Sequence, residues 1–241
     1  MAFAHSPQIV TNGLVLALDA GNTKSYPGTG TTWFDKSGYA NNGTLTNGPT
    51  FSSANGGSIV FDGGDDYIAL GTPTSLNITS SITINTWVNL NAFPSNTNAT
   101  IYDKGYDNTN EQTFFTFNNQ GGVNSLSCGT YTTVGNINYF TKLTLTGSYA
   151  SLITTGSWNN LVGQYDGSSW NIYVNGNLLS QTTTQGPKPS TSPVAIGAAY
   201  ISSGYQRFLN GRIASTQVYN RSLSASEVQQ NFNALRGRFG I

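Results

Sequence analysis

The sequence predicts an all-β protein: an antiparallel β-sandwich with one short helix near its C-terminus. Two observations lead to this fold class. Short apolar or alternating runs recur between clusters of Gly, Asn, Asp and Ser, and only one stretch carries helix signals. Many strands at hairpin spacing with a single helix are typical of sandwiches. A chain of 241 residues is long enough to form one well-packed domain of this kind.

The N-terminal half supplies the first strands of this sandwich. Residues 14–18 form an apolar run that ends at Asp19, as expected of a buried strand. Residues 58–61 and 67–70 flank a loop of hairpin length and are predicted to pair. Residues 82–90 alternate, which places Trp87 on the face opposite to the apolar positions of that strand.

The C-terminal half contains the clearest hairpin signal. Residues 169–174 and 177–180 are separated by Asn175-Gly176, and this dipeptide supplies the two positive-φ residues of a type I′ turn. Further strands are predicted at residues 158–165, which turn at Asp166-Gly167, and at residues 194–197, 211–214 and 218–219.

The helix is predicted from a capping box, in which Ser224 and Glu227 satisfy each other's backbone donors. It is expected to run to about Leu235 and to stop at Gly237. The domain organisation that follows is an N-terminal arm at 1–12, one sandwich at 13–236 and a C-terminal tail at 237–241.

Composition excludes several classes of function. The chain has 10 Lys+Arg against 10 Asp+Glu, so it lacks the basic footprint of nucleic-acid binding. Its longest apolar run, at 14–18, is too short for a membrane span, and its first residues lack the charges of a secretory signal. The lone Cys128 excludes an internal disulfide and is predicted to be a small core residue.

Several motifs carry a family resemblance. In the first half they are WFDKSG at 33–38, NNGTL at 41–45, SIVFDG at 58–63 and DYI at 66–68. In the second half they are SWNNLV at 157–162, YDG at 165–167, IYVNG at 172–176, LNGRI at 209–213 and YNRSLS at 219–224. Together, over residues 12–236, they resemble the laminin-G-like, concanavalin A-like lectin/glucanase superfamily. The resemblance implies a jelly roll of two curved sheets, with Trp33, Trp87, Trp158 and Trp170 packed in its core.

The two end segments resemble a narrower group. Residues 9–22 and 231–241 are similar to laminin-G-like virion proteins of tailed bacteriophages, especially marine phages or cyanophages. That resemblance implies a structural protein on the virion surface, either a capsid decoration protein or a tail-fibre component. Its expected partners are other virion proteins and further copies of itself. The tail is cationic with apolar residues (Arg238, Phe239 and Ile241), and we expect it to dock on a neighbouring subunit.

Catalysis is not expected. A glycosidase needs two carboxyl groups that flank the scissile bond, and the Glu-x-Asp-x-x-Glu strand of the glucanase members is absent here. Of the two glutamates, Glu227 belongs to the helix cap and Glu111 is predicted to lie in a solvated loop. The single histidine, His5, lies in the N-terminal arm, so a Ser-His-Asp triad is not expected. A glycan hydrolase is therefore the least favoured function.

The candidate binding residues lie in the segment 103–156, which has the fewest family matches. Loops on a rigid sandwich usually carry specificity, and Tyr, Asp and Asn suit sugar recognition. The candidates are Asp103, Tyr106, Asp107, Tyr131 and Tyr139. They are predicted to hold a host-surface glycan, or else the tyrosines cover sheet edges or a subunit contact. The alternative function is a secreted or cell-surface carbohydrate-binding lectin module.

One metal site is a candidate. Asp62, Asp65 and Asp66 cluster in one loop, and carboxylate oxygens are ligands that Ca²⁺ takes. Their spacing matches no defined calcium loop, and a plain hairpin also explains the cluster. No other cofactor is expected.

Overall fold

The computed structural model describes residues 7–95, 97–134, 137–202 and 204–241, and the structural statements below concern these residues. The first nine strands are β1 (Leu14–Asp19), β2 (Thr32–Trp33), β3 (Gly43–Thr46), β4 (Thr50–Ser52), β5 (Ser58–Asp62), β6 (Tyr67–Gly71), β7 (Ile82–Leu90), β8 (Asn98–Tyr106) and β9 (Asn110–Gln120). The others are β10 (Val123–Thr132), β11 (Ile137–Thr144), β12 (Trp158–Tyr165), β13 (Ser169–Val174), β14 (Asn177–Thr183), β15 (Val194–Ile196), β16 (Ala199–Ile201), β17 (Gly204–Gln206) and β18 (Asn210–Tyr219). One helix, α1 (Ala225–Phe239), follows, and His5 with the rest of residues 1–6 lies outside the described part.

These strands form two antiparallel sheets that pack into a sandwich, which confirms the predicted fold class. The eight-stranded sheet has the order β14-β13-β12-β7-β18-β5-β4, and β1 also pairs with β18. The ten-stranded sheet has the order β11-β10-β9-β8-β15-β6-β3-β2, and the β16–β17 hairpin joins it beside β8. Among the described residues, no helix combines the length and apolar character that crossing a membrane requires.

Alternation along β7 decides which side chains enter the core. Ile84 and Val88 lie in the main core between the sheets, as predicted. Trp87 points the other way and stacks on Phe232 and Phe239 of α1, with ring centroids 5.8 and 4.2 Å away. The helix therefore covers the outer face of the eight-stranded sheet. All four tryptophans and Cys128 are buried, as the sequence predicts.

The Asn175-Gly176 turn also forms as predicted. Both residues have positive φ, 50° and 82°, and Val174 pairs with Asn177 across the turn. The two-residue connection fixes the register of β13 against β14.

The acidic loop at residues 62–66 does not form the predicted hairpin. β5 pairs with β18 and β4 in one sheet, whereas β6 pairs with β3 and β15 in the other. The loop therefore carries the chain across the sandwich. The length of the loop suggested a hairpin. Length alone does not show whether the two flanking strands pair with each other or with other strands.

The segment from residue 103 is also not a set of loops. β8, β9, β10 and β11 run through it as far as Thr144 and form one end of the ten-stranded sheet. Residues around Tyr149 form a short 3-10 turn (Gly147–Tyr149). The candidate binding residues of this segment are therefore held mainly by strands.

The helix extends beyond Gly237, which was predicted to end it. It continues to Phe239, and Gly240, with a φ of 73°, caps it. Arg238 forms an ion pair with Asp19 at 2.6 Å, and Phe239 is buried. Two of the three residues expected to dock on a neighbour are thus engaged within the chain, because stacking on Trp87 keeps the last helical turn on the sheet.

The N-terminal arm, in its described part, is held by the same region. The Val10 N–H donates to Asn231 Oδ1 at 2.8 Å, and the Val10 carbonyl accepts from the Tyr219 hydroxyl at 2.9 Å. Both ends of the described chain therefore pack beside α1 and β18.

Candidate functional site

A groove of about 460 Å³ lies on the face of the ten-stranded sheet that points away from the core. β8, β9, β10 and β11 provide its floor, and Ile201 and Arg207 approach it from the β16–β17 hairpin region. Along β9, Thr116 and Asn118 line the groove, while Phe115 and Phe117 between them enter the core. Strand alternation thus separates a polar outer face from an apolar inner one.

Strand register arranges the groove in four rows that cross β9, β10 and neighbouring strands. The carboxyl row contains Tyr106, Glu111, Tyr131 and Asn138. The aromatic row contains Phe114, Gly129 and Phe140. The lysine row contains Thr116, Ser127 and Lys142, and the amide row contains Asn98, Asn118 and Ser125.

The aromatic row forms an apolar platform in a polar surrounding. The rings of Phe114 and Phe140 have centroids 6.4 Å apart and planes inclined by 50°. Gly129 separates them on the strand between, and a Cβ there would overlap Phe140 and the Tyr139 carbonyl oxygen. The Phe140 side chain is 37% exposed. An aromatic face open to solvent can pack against the C–H surface of a ligand.

The lysine and amide rows supply short polar groups beside this platform. Asn118 Nδ2 donates to Ser127 Oγ at 3.0 Å, which links the two rows. Amide and hydroxyl groups both donate and accept hydrogen bonds, so they can match the hydroxyls of a sugar. A groove with an apolar centre and a few polar groups around it has the usual character of a small-ligand site.

Glu111 of the carboxyl row forms a buried acid pair with Asp103, which lies on β8 opposite Phe114. Asp103 is fully buried, and Glu111 is 7% exposed. Asp103 Oδ2 accepts the Tyr200 N–H at 2.9 Å, and the Asp103 and Glu111 carboxyl groups are close enough to shift each other's pKa. Two carboxyl groups this close disfavour the ionisation of both.

The electrostatics of this pair follow from its burial. Burial, and then the neighbouring Glu111 carboxyl, raise the pKa of Asp103 well above its usual value. Burial also raises the pKa of Glu111, although the guanidinium of Arg207, 3.8 Å from Glu111 Oε1, opposes that increase.

Glu111 corrects the sequence interpretation, which placed it in a solvated loop. A register shift brings Phe114 opposite Gly129 but Glu111 opposite Tyr131. β9 therefore has one extra residue here, a β-bulge, which reverses the alternation and turns Glu111 toward the groove. Its burial and its contact with Asp103 depend on this bulge.

Two of the five predicted ligand-binding residues line the groove. Tyr106 and Tyr131 lie there with ring centroids 5.7 Å apart. Asp103 lies beside them in the buried acid pair rather than on the groove surface.

Asp107 and Tyr139 have other contacts. Asp107 accepts backbone N–H groups of Thr109, Asn110 and Thr191, and these bonds lower its pKa against the effect of partial burial. It therefore shapes the turn between β8 and β9. Tyr139 lies outside the groove lining, with the Lys188 ammonium 5.3 Å from its ring centroid.

The sequence interpretation missed several lining residues: Phe114, Asn118, Phe140, Lys142 and Arg207. A usable signal was present in β9, where polar Thr116, Asn118 and Gln120 alternate with Phe115 and Phe117. Arg207 is different, because it lies about a hundred residues away from β9 in the sequence and no local pattern links the two.

The predicted calcium ligands do lie together. One carboxylate oxygen from each of Asp62, Asp65 and Asp66 lies within 4.8 Å of the others. Asp62 Oδ1 already accepts the Gly64 N–H, and Asp66 Oδ2 accepts the Asp62 N–H. Burial, with the two neighbouring carboxylates, raises the pKa of Asp66. The oxygen donors fit Ca²⁺, and the calcium site stays a prediction.

A family model described as the concanavalin A-like lectin/glucanases superfamily matches residues 62–229. No curated protein sequence matches the chain.

Solved structures with the same fold are similar over most of the chain. The binding domain of botulinum neurotoxin DC, in complex with SialylT, gives a TM-score of 0.67 at 16% identity and covers 93% of this chain and 52% of that one. Domain 4 of AbnA, a GH43 extracellular arabinanase from Geobacillus stearothermophilus, in complex with arabinotriose, is also similar. Its TM-score is 0.63 at 17% identity, and the match covers 90% of this chain and 97% of that one. A Trypanosoma rangeli sialidase mutant displaying trans-sialidase activity gives a TM-score of 0.65 at 15% identity, and the match covers 97% of this chain and 34% of that one. The chain thus spans about half of the neurotoxin structure, and identities this low establish the fold alone.

Proposed function

The chain belongs to the concanavalin A-like lectin/glucanase superfamily, and from this premise we propose that it is a non-catalytic carbohydrate-binding protein whose site is the groove on β8–β11. The observation that carries the proposal is the aromatic row, with the exposed Phe140 ring bordered by amide and hydroxyl side chains. A ring of this kind packs on the C–H face of a sugar, while Asn118 and Ser127 hydrogen-bond its hydroxyls.

A glycan array probed with the purified chain tests this function, followed by calorimetry with the best-binding glycan. Phe140→Ala should weaken that binding at least tenfold, because it removes half of the aromatic platform. Phe34→Ala is the matched control, since Phe34 is similarly exposed, at 40%, and lies outside the groove. An array without any binding, or equal affinity for Phe140→Ala and the unchanged chain, would contradict the proposal.

The absence of catalysis is part of the proposal. In glycosidases the two carboxyl groups stand about 5 to 9.5 Å apart, on either side of the scissile bond. Asp103 is instead fully buried and Glu111 is only 7% exposed, so a sugar cannot enter between the two carboxyl groups. We expect no release of reducing sugar from any glycan that binds. If the unchanged chain hydrolysed a glycan and Glu111→Gln did not, this part of the proposal would be wrong.

We further propose that the chain acts on the virion surface of a tailed phage, as a capsid decoration or tail-fibre component that holds a host-surface glycan. What suggests this place of action is the resemblance to virion proteins inferred above from residues 9–22 and 231–241. The alternative is an extracellular lectin module. Electron microscopy of native particles should reveal the protein in symmetric copies beside other virion proteins. If the particles lacked the protein and the free monomer bound glycans, the lectin module would be favoured.

A further inference from the structure

Two cationic side chains line the groove, Lys142 and Arg207, against one acidic residue, Glu111. Lys142 is exposed, and none of the ion pairs between described residues includes it. Arg207 lies 3.8 Å from Glu111, which is an ion-pair distance but too long for a hydrogen bond. Both cations therefore have donors available for a ligand.

Arg207 is held in this place by an unusual backbone conformation. Its φ is 59°, in the left-handed region that a residue with a side chain rarely adopts. Its carbonyl oxygen accepts the Thr100 N–H of β8 at 2.8 Å, which fixes the segment against the sheet. Strained residues of this kind cluster at binding sites because the surrounding structure holds them there.

The charge of the groove differs from that of the whole chain. The chain is neutral overall, whereas burial raises the pKa of both Asp103 and Glu111 and so opposes negative charge at the acid pair. The guanidinium of Arg207, 3.8 Å from Glu111 Oε1, adds a positive charge beside the pair. Lys142 adds a further positive charge, and among the described residues it forms no ion pair.

Lys142 also has a suitable position relative to the aromatic platform. It lies two residues beyond Phe140 on β11 and on the same face, which corresponds to about 7 Å along the strand. Its row partner Ser127 is bonded to Asn118. A sugar stacked on Phe140 can therefore present a substituent to the Lys142 ammonium.

We infer that the groove binds acidic glycans, with a sugar ring on the Phe114–Phe140 platform and its carboxylate or sulfate group at Lys142, while Arg207 contacts the neighbouring unit. This inference rests on the proposed carbohydrate-binding function and specifies its ligand class. The attraction between exposed charges is screened by salt, so affinity for an acidic glycan falls as ionic strength rises.

An array of matched pairs tests the inference, in which each neutral oligosaccharide is printed beside its uronate and its sulfated counterpart. The unchanged chain should bind the acidic members at least tenfold more tightly at low salt, and the uronate and sulfate arms identify which anion is preferred. Lys142→Gln should remove that preference, so that the acidic and neutral members of each pair bind with equal affinity. Lys24→Gln, an exposed lysine outside the groove, is the control and should behave as the unchanged chain.

Each outcome separates this inference from the function on which it rests. Equal binding of neutral and acidic members, or a preference that survives in Lys142→Gln, overturns the acidic specificity and leaves carbohydrate binding intact. Binding of no member overturns both. Because Lys142 is exposed, the thermal midpoint of Lys142→Gln should equal that of the unchanged chain, which excludes unfolding as the cause of a lost preference.

Discussion

A single glycine decides whether the aromatic platform exists. Gly129 lies between Phe114 and Phe140, where a Cβ would overlap Phe140 and the Tyr139 carbonyl. The two rings can approach each other because no side chain stands between them. Glycine is required at position 129 for close packing and not for an unusual backbone conformation, because Gly129 is a regular part of β10.

Gly129→Ala should lower the free energy of unfolding by about 1 to 3 kcal/mol, the usual cost of overpacking, and weaken glycan binding with it. Gly237→Ala is the contrasting variant, because a Cβ at Gly237 meets open space and alanine favours a helix by about 1 kcal/mol. Urea unfolding of both variants measures the difference. A Gly129→Ala protein as stable as the unchanged chain would show that β10 and β11 separate easily at this point.

The buried acid pair should give stability a distinctive pH dependence. Burial raises the pKa of Asp103 in the folded state, so the folded chain binds more protons than the unfolded chain above about pH 4. The contribution of protonated Asp103 to the free energy of unfolding is therefore fully present below its unfolded pKa. It is lost as the pH rises through its folded pKa.

Asp103→Asn removes this titration while its amide can still donate to Glu111. Relative to the unchanged chain, we expect this variant to gain at least about 1 kcal/mol in unfolding free energy between pH 5 and pH 8. Urea unfolding at the two pH values measures the gain, with exposed Asp65→Asn in calcium-free buffer as the control. Parallel pH profiles for Asp103→Asn and the unchanged chain would argue against a raised pKa of Asp103.

Calcium binding by the acidic loop is a further residue-level prediction. If Asp62, Asp65 and Asp66 hold Ca²⁺, then millimolar Ca²⁺ should raise the melting temperature through mass action on the folded state. Asp65→Asn should remove that increase, because it takes away one ligand charge. The same melting temperature with Ca²⁺ and with a chelator would dismiss the site.

At the scale of elements, the capping box of α1 is the best-defined local device. Ser224 Oγ accepts the Glu227 N–H, and the Glu227 carboxylate accepts the Ser224 N–H. Arg221 adds an ion pair to Glu227 at 2.6 Å. Hydrogen bonding to Arg221, with the backbone of Ser224, lowers the pKa of Glu227 to about 2.

Glu227→Gln should keep the cap and lose the ion pair. Because the folded pKa of Glu227 is depressed, the ion pair stabilises the fold above the unfolded pKa of about 4.5 and loses its effect as pH falls toward 2. The pair is partly solvated, so we expect a loss of only about 0.5 to 1 kcal/mol at pH 7 and almost none at pH 2.5. Thermal unfolding across this range measures it, and a loss independent of pH would indicate a damaged cap instead.

Bulges in β8 and β9 are the elements that build the groove. The β8 register shifts between Thr100 and Tyr102, and the β9 register shifts opposite Gly129 and Tyr131. Ile101 and Tyr102 both enter the core as a result of the first shift. The second brings Glu111 to the groove. Bulges reorient side chains in this way next to many functional sites.

At the scale of the whole molecule, the C-terminal segment completes the fold. Phe239 stacks on Trp87 and lies 4.7 Å from the Trp158 ring, so the last helical turn seals the outer face of the eight-stranded sheet. Arg238 and Asp19 join this turn to the end of β1.

Phe239→Ala should cost about 3 kcal/mol of unfolding free energy, the usual effect of truncating a buried phenylalanine. Ile241→Ala is the matched control, because Ile241 is 46% exposed and should change stability by less than about 0.5 kcal/mol. Denaturant titration compares the two. If Phe239→Ala and Ile241→Ala were about equally stable, the segment would instead be a free tail available to dock on a neighbour.

The sequence by itself determined the all-β fold class, the Asn175-Gly176 hairpin and the capped start of α1. Each depends on interactions within a few residues: positive φ at a turn, alternation along a strand, or reciprocal hydrogen bonds at a cap. Such signals are complete in the local sequence. For this reason they could be read without knowledge of the strand order.

Only the tertiary structure decided the groove, the acid pair and the course of the acidic loop. Arg207 reaches Glu111 through the β16–β17 region, and Glu111 meets Asp103 because a bulge reverses its direction. β5 and β6, close in sequence, join different sheets because each pairs with a different remote strand, β18 for β5 and β15 for β6. These features depend on register and on contacts between remote residues, whose free energies arise only when the whole sandwich has assembled.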